Sequence, residues 1–261
     1  MTDFKTIKFS SEGGIARIVL NRPDAANAMN LELASDLARA ALICDSDASI
    51  RAVLLTGTGR MFSAGGDLKA FATFGDQTGV KIKQLADELH KAISVFARMT
   101  PVLVIAVNGI AAGAGFSLSL TGDYAIAAES AKFTMAYTRA GLTPDGSSTY
   151  YVPRLVGLRK AQELMLTNRT LTAREACDWG LITRVCPDET LQQEALNIAT
   201  ELAAGSRHAQ GVVKKLLLST LRNGLEEQME LEGREIAFAA TSADGVEGIG
   251  AFVGKRKADF A

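Results

Sequence analysis

The chain has 261 residues, 48% hydrophobic and 22% charged, which suits one large globular domain with a sizeable core. Its formal net charge of −1 argues against a basic field for nucleic acid or an anionic membrane surface. Three cysteines (Cys44, Cys177, Cys186) without a CxxC pair predict no disulfide scaffold and a reducing, cytoplasmic compartment, and two histidines (His90, His208) without an HExxH or Cys/His cluster predict no metal site.

The N-terminal MTDFKTIKFS lacks the apolar stretch of a signal peptide. Residues 14–20 (GIARIVL) read as a strand ending at the turn NRPD. Leu33, Leu37 and Ala41 recur at helical spacing over 31–43. Residues 51–56 (RAVLLT) and 101–107 (PVLVIAV) are apolar runs typical of buried strands, with a helix between them at 80–98. A helix over 112–120 and a strand over 123–128 follow. The uncharged run from Met99 to Gly122 is long enough to span a bilayer. Its glycines and polar residues favour a buried strand, a glycine turn and a buried helix in series.

Beyond that point helices dominate. Thr172 and Glu175 have the spacing of a capping box, with Gly180 as the stop. Residues 188–204, 207–222, 225–240 and 242–254 are helix-compatible. The pattern is an α/β core over residues 1–200 and a helical C-terminal region over 201–261, with no linker or internal repeat.

Two glycine-rich turns follow buried strands: MFSAGGDL at 61–68 and NGIAAGAGFSL at 108–118. Small residues let a ligand approach the backbone, and helix starts present unpaired N–H groups. Two such groups aimed at one point make an oxyanion hole. Each turn alone reads equally as a structural turn. The second lacks the third glycine of a dinucleotide fingerprint, and no P-loop is present. Residues 115–119 (GFSLS) place Ser117 as in a nucleophile elbow but lack its last glycine, and His208, at an exposed helix start, is an unsuitable base for it.

The ordered set MFSAGGDL, PVLVIAVNGIAAGAGFSLSLTGDYAIAAESAKF, GLTPDGSSTYYVPRLVG and LMLTNRTLTAREACDWGLITRV resembles the crotonase (enoyl-CoA hydratase/isomerase) superfamily over nearly the whole chain. The resemblance implies a spiral of repeated ββα units with a C-terminal helical trimerisation region, assembled as a homotrimer or as a hexamer of two trimers. It also implies an acyl-CoA thioester substrate, with coenzyme A entering as part of it rather than as a cofactor. The implied oxyanion donors are the backbone N–H groups of Gly66 and Ala114, with Ala64, Gly65, Gly66, Asp67 and Leu68 along the CoA path. Asp67 reads equally as a helix cap.

The hydratases of this family use two glutamates; the matching positions here are Ser117 and Tyr137. A different carboxylate, Asp145, stands in GLTPDGSST. Taken alone, Pro-Asp-Gly is a turn. The segment is similar to epoxyphenylacetyl-CoA isomerases and Δ3,Δ2-enoyl-CoA isomerases, in which an acid near this position shuttles the proton. It is also similar to 4-chlorobenzoyl-CoA dehalogenases, which place a nucleophilic aspartate there, a tryptophan at the Tyr137 position and a base histidine near His90. A histidine on a polar helix face reads equally as solvated. Isomerisation, with Asp145 as base and Tyr137 orienting either it or the acyl group, is the favoured expectation. Hydration, dehalogenation or non-catalytic acyl-CoA binding are the alternatives. Phe62, Phe71, Phe116 and Tyr137 are the candidate apolar walls.

Overall fold

A computed structural model describes residues 3–260. In chain order it contains β1 (Ile7–Glu12), β2 (Ile15–Leu20), α1 (Leu31–Ser46), β3 (Ala52–Gly57), β4 (Met61–Ser63), the short α2 (Leu68–Phe71), α3 (Thr78–Arg98), β5 (Val102–Val107), β6 (Ile110–Ala112) and α4 (Ala114–Ser119). There follow β7 (Tyr124–Ala128), β8 (Lys132–Thr134), α5 (Ser148–Val156), α6 (Leu158–Thr167), β9 (Thr170–Thr172), α7 (Ala173–Asp178), β10 (Arg184–Cys186), α8 (Leu191–Ala203), α9 (Arg207–Ser219), α10 (Leu225–Thr241) and α11 (Ala243–Val253).

The strands form two sheets, ordered β1-β2-β3-β5-β7-β10 and β4-β6-β8-β9. Every residue of β3 and β5 is buried, as expected of parallel strands covered on both faces. Each long strand β3, β5 and β7 pairs in parallel within the first sheet. Each then passes to a short strand of the second sheet (β4, β6, β8) before the chain turns helical. Three successive ββα turns therefore advance side by side, giving the crotonase-like spiral.

The buried strands lie within a residue of their sequence expectation because an uninterrupted apolar run leaves few other placements. The run from Met99 to Gly122 resolves into β5, β6 and α4, nearly all buried, and no single described helix is long and apolar enough to cross a membrane. The expected helix at 112–120 begins only at Ala114, because Ile110–Ala112 pairs with β4 and β8 instead. Strand β1 escapes the sequence reading: its outer residues are mostly exposed, so it lacks an apolar signature and is fixed by antiparallel pairing with β2. Helix α5 escapes it too, having Pro153 in its interior. The capping box at α7 is present in both directions, Thr172 with the Glu175 N–H and Glu175 with the Thr172 N–H.

The helices after α8 are tied to the core by buried polar contacts. Lys214 Nζ on α9 pairs with Asp123 at 2.7 Å and donates to the carbonyls of Phe96 and Pro101. Burial pulls the Lys214 pKa down and pushes that of Asp123 up. All three cysteines are free thiols, and burial pushes that of Cys44 up to about 12.

Candidate active site

The two glycine turns meet backbone to backbone. Gly65 has φ +92°, and a Cβ there would lie 2.8 Å from the carbonyl oxygen of Ala112. Gly113 has φ +49°, and its Cβ would face Gly65 Cα at 3.5 Å. At Gly65 both the positive φ and the close approach require glycine, whereas at Gly113 the positive φ alone does. The next residues, Gly66 and Ala114, thereby line one cavity of about 330 Å3. The neighbouring donors are engaged: Gly65 N–H with Ser63 Oγ at 3.3 Å, Asp67 N–H with Met29 O at 3.0 Å and Gly113 N–H with Thr134 O at 3.1 Å. The N–H groups of Gly66 and Ala114 find no acceptor among the described residues. In the case of Ala114, this is the normal state of a helix's first donor.

Asp145 is fixed by its main chain and its carboxylate together. Its carbonyl accepts from the Ser148 N–H (3.2 Å), Ser148 Oγ (2.9 Å) and Ser117 Oγ (2.9 Å). Gly146 has φ +60°, and a Cβ there would lie 2.9 Å from Ser117 Cβ. Two non-glycine residues also take left-handed backbone beside the site, Ala136 before Tyr137 and Ser147 after Gly146. Such strain is maintained only by surrounding contacts and clusters at functional sites.

The carboxylate itself has two neighbours. Oδ1 accepts from the Tyr137 hydroxyl at 2.6 Å, a charge-assisted bond. Burial, and then the Asp145 charge, push the Tyr137 pKa well up, so the phenol stays a donor. Ser117 Oγ, fully buried, lies 3.0 Å from the same hydroxyl. Oδ2 stands 3.9 Å from His90 Nε2, too far for a hydrogen bond. That nitrogen instead accepts from the Gly146 N–H at 3.2 Å.

Of the residues singled out in the sequence, Ala64, Gly66, Leu68, Ala114, Tyr137 and Asp145 line the cavity. Gly65 and Asp67 do not; Asp67 caps α2 through the Ala70 N–H (3.2 Å) and pairs with Arg22 at 3.0 Å. His90 stands behind the Asp145 loop on α3. Of the candidate aromatic walls, Phe71 and Tyr137 face the cavity, whereas Phe62 and Phe116 are fully buried in the core, because β4 and α4 turn those positions inward. The sequence reading missed Ile82, Leu85 and Ala86, which supply the opposite wall. Their signal is the apolar stripe of α3, indistinguishable in sequence from a core-facing one. It also missed Ser117 as the link between Tyr137 and the Asp145 main chain. His208 packs against Phe238 at 5.3 Å and makes no contact with Ser117. Among the described residues no three His, Cys, Asp or Glu side chains gather to hold a metal ion.

The arrangement combines two unengaged backbone donors, one fixed carboxylate and apolar walls. This can stabilise a developing oxyanion while a single base moves a proton. Residues 10–261 match the family model described as enoyl-CoA hydratase/isomerase. The chain is 38% identical to a 1,2-epoxyphenylacetyl-CoA isomerase of Escherichia coli (strain K12), over 95% of each protein. It is 37% identical to 4-chlorobenzoyl coenzyme A dehalogenase-2 of an Arthrobacter species, covering 85% of this chain and 81% of that one. Its structure superposes on an enoyl-CoA hydratase from Polaromonas sp. JS666 with a TM-score of 0.94 at 32% identity, covering 98% of this chain and 99% of that one.

Proposed function

The chain belongs to the enoyl-CoA hydratase/isomerase family, within the crotonase superfamily, and from that premise we propose that it is an acyl-CoA isomerase moving a double bond in an enoyl- or ring-acyl-CoA through a thioester enolate. The observation that carries this reading is that Asp145 is the only carboxylate among the described residues lining the cavity. Moving a double bond from C3–C4 to C2–C3 needs one base. Asp145 removes the C2 proton, and the electrons of that bond pass into the dienolate. The N–H groups of Gly66 and Ala114 hold its oxygen. Asp145 then returns the proton to C4, and C2 and C3 become doubly bonded. The Tyr137 hydroxyl orients the carboxylate through the bond at 2.6 Å. Hydration by paired glutamates fits this site poorly, since Ser117 and Tyr137 occupy those positions and bond to each other.

One observation favours a second reading. His90 Nε2 stands 3.9 Å from Asp145 Oδ2. In aryl dehalogenation Asp145 would attack the halogen-bearing ring carbon, halide would leave, and His90 would activate the water that hydrolyses the aryl ester.

Coenzyme A enters on the substrate, with no resident cofactor or metal, and the reading places the enzyme in the cytoplasm. The apolar side chains left exposed on α10 and α11, among them Ile236 (72%), Phe252 (86%) and Val253 (75%), support assembly as a homotrimer or a hexamer of two trimers. The test is a spectrophotometric panel of 3-enoyl-CoA, 2-enoyl-CoA and 4-chlorobenzoyl-CoA with wild type and Asp145→Asn. Conversion of 3-enoyl to 2-enoyl thioester, lost in the variant, supports the isomerase. Chloride release supports the second reading, and hydration that survives Asp145→Asn refutes both.

A further inference from the structure

The cavity that holds Asp145 is long in one direction. Its Asp145 end packs against the middle of α3. There the Gly146 N–H donates to His90 Nε2 at 3.2 Å, and a Cβ at Gly146 would lie 3.6 Å from Leu89 Cδ2. From that end the cavity follows α3 back to its first turn, lined in succession by Ala86, Leu85, Ile82 and Gly79. Gly79 lies eleven residues before His90, about 16 Å along the helix axis. Ala86 stands between them, about 10 Å from Gly79. All four α3 residues share one lining with Gly66, Ala114 and Asp145.

Besides Asp145 and Tyr137, the polar side chains on this lining are Lys83 and Thr143. The Lys83 ammonium is held by Asp87, one helical turn on and outside the lining, so no unpaired charge stands along α3. Gly79 and Ala86 are small, whereas the same stripe otherwise carries Ile82, Leu85 and Leu89. Gly79 has no left-handed backbone, and no heavy atom lies within 4 Å of where its Cβ would stand. Neither backbone geometry nor crowding calls for glycine there, and alanine would suit the helix better. What the missing side chain leaves is open space in the cavity wall.

We propose that the acyl group of the natural substrate is an uncharged, unbranched hydrocarbon chain that runs from the thioester along α3, and that Ala86 and Gly79 set the length it can reach. The inference rests on the acyl-CoA reading above, and it makes these two small residues specificity-determining. A compact ring beside Asp145 would leave the stretch from Ala86 to Gly79 unfilled and forgo the contacts that an extended chain gains there.

The experiment measures calorimetric Kd for a saturated straight-chain series, from butanoyl-CoA to dodecanoyl-CoA, with wild type, Gly79→Leu and Ala86→Leu. In parallel, kcat/KM is measured for 3-enoyl-CoA thioesters of increasing length. In wild type the affinity is expected to rise by about two- to fourfold per methylene, as burial of a CH2 group supplies. In Ala86→Leu the rise should stop at a short chain and in Gly79→Leu at a longer one. A chain two methylenes past either stop should bind about tenfold more weakly than to wild type. Affinity independent of length in wild type, or stops that coincide or fall in the reverse order, overturns the proposal. So does a loss equal for butanoyl and dodecanoyl thioesters, which would give the Gly79 end of the cavity to coenzyme A. Gly79→Leu adds its side chain where nothing crowds it, so it keeps the test decisive if Ala86→Leu melts early. Because the saturated series needs no turnover, length-dependent binding without isomerisation would uphold the channel and count against the isomerase reading alone. Failure of every thioester to bind would overturn both.

Discussion

The Tyr137 hydroxyl donates to Oδ1 of Asp145 at 2.6 Å, while Ser117 ties both residues together, 3.0 Å from that hydroxyl and 2.9 Å from the Asp145 carbonyl. The two positions at which hydratases of the family carry glutamates thus serve here to hold a third acid.

Asp145→Asn is nearly isosteric, keeps an acceptor for Tyr137 and leaves the carbonyl contacts of Ser117 and Ser148 in place. Its expected effect is a fall in kcat of about 10²–10⁴-fold with an unchanged melting temperature. A loss of activity accompanied by a lowered melting temperature would show that the carboxylate is structural.

The chain has four tyrosines, and burial raises the pKa of two of them, Tyr137 and Tyr151, above the ordinary 10.0. An alkaline titration followed by phenolate absorbance should therefore show two tyrosines resisting ionisation until the chain unfolds. The linkage has a definite sign. Unfolded Tyr137 releases its proton near 10.0 while the folded phenol keeps it, so the stability it contributes is complete below that pH and is lost as pH rises beyond it. Tyr137→Phe should flatten this alkaline decline; an unchanged slope would mean the phenol is not buried against Asp145.

Gly65→Ala places a Cβ 2.8 Å from the Ala112 carbonyl at a residue with φ +92°. The expected cost is about 1–3 kcal/mol of stability. A drop in kcat beyond what the lost folded fraction explains is also expected, because the adjacent Gly66 N–H is displaced. Denaturant melts and initial rates measured on the same samples separate the two effects.

Asp123→Ala leaves the nearly buried Lys214 ammonium with only the carbonyls of Phe96 and Pro101. Removing one partner of a buried pair costs about 3 kcal/mol. Lys214→Met should cost less, since Asp123 is partly open to water and keeps the Leu103 N–H at 2.7 Å. Chemical denaturation of both variants checks the order; the reverse order would mean that the carboxylate is the buried member.

His90→Gln retains an acceptor for the Gly146 N–H but removes a base. Under the isomerase reading the rate should change by no more than a few-fold. Under dehalogenation hydrolysis of the aryl ester should stall, and a covalent adduct on Asp145 would become visible by mass spectrometry.

The elements legible in the sequence were those written in local chemistry. The buried runs of β3 and β5, the capping box of Thr172 and Glu175 and the glycines that permit the two turns each depend on residues a few positions apart. The ordered motifs likewise placed the chain in its family. Tertiary structure decided what faces what. Asp67 went to Arg22 and the start of α2, and Phe62 and Phe116 went to the core while Phe71 went to the cavity. Ser117 and His90 came to the Asp145 loop from 28 and 56 positions away, measured to Asp145 and Gly146. Such meetings depend on the register of parallel strands and on the side of the sheet where α3 lies. Propensity and spacing carry no term for either, because both are fixed only when the whole core closes.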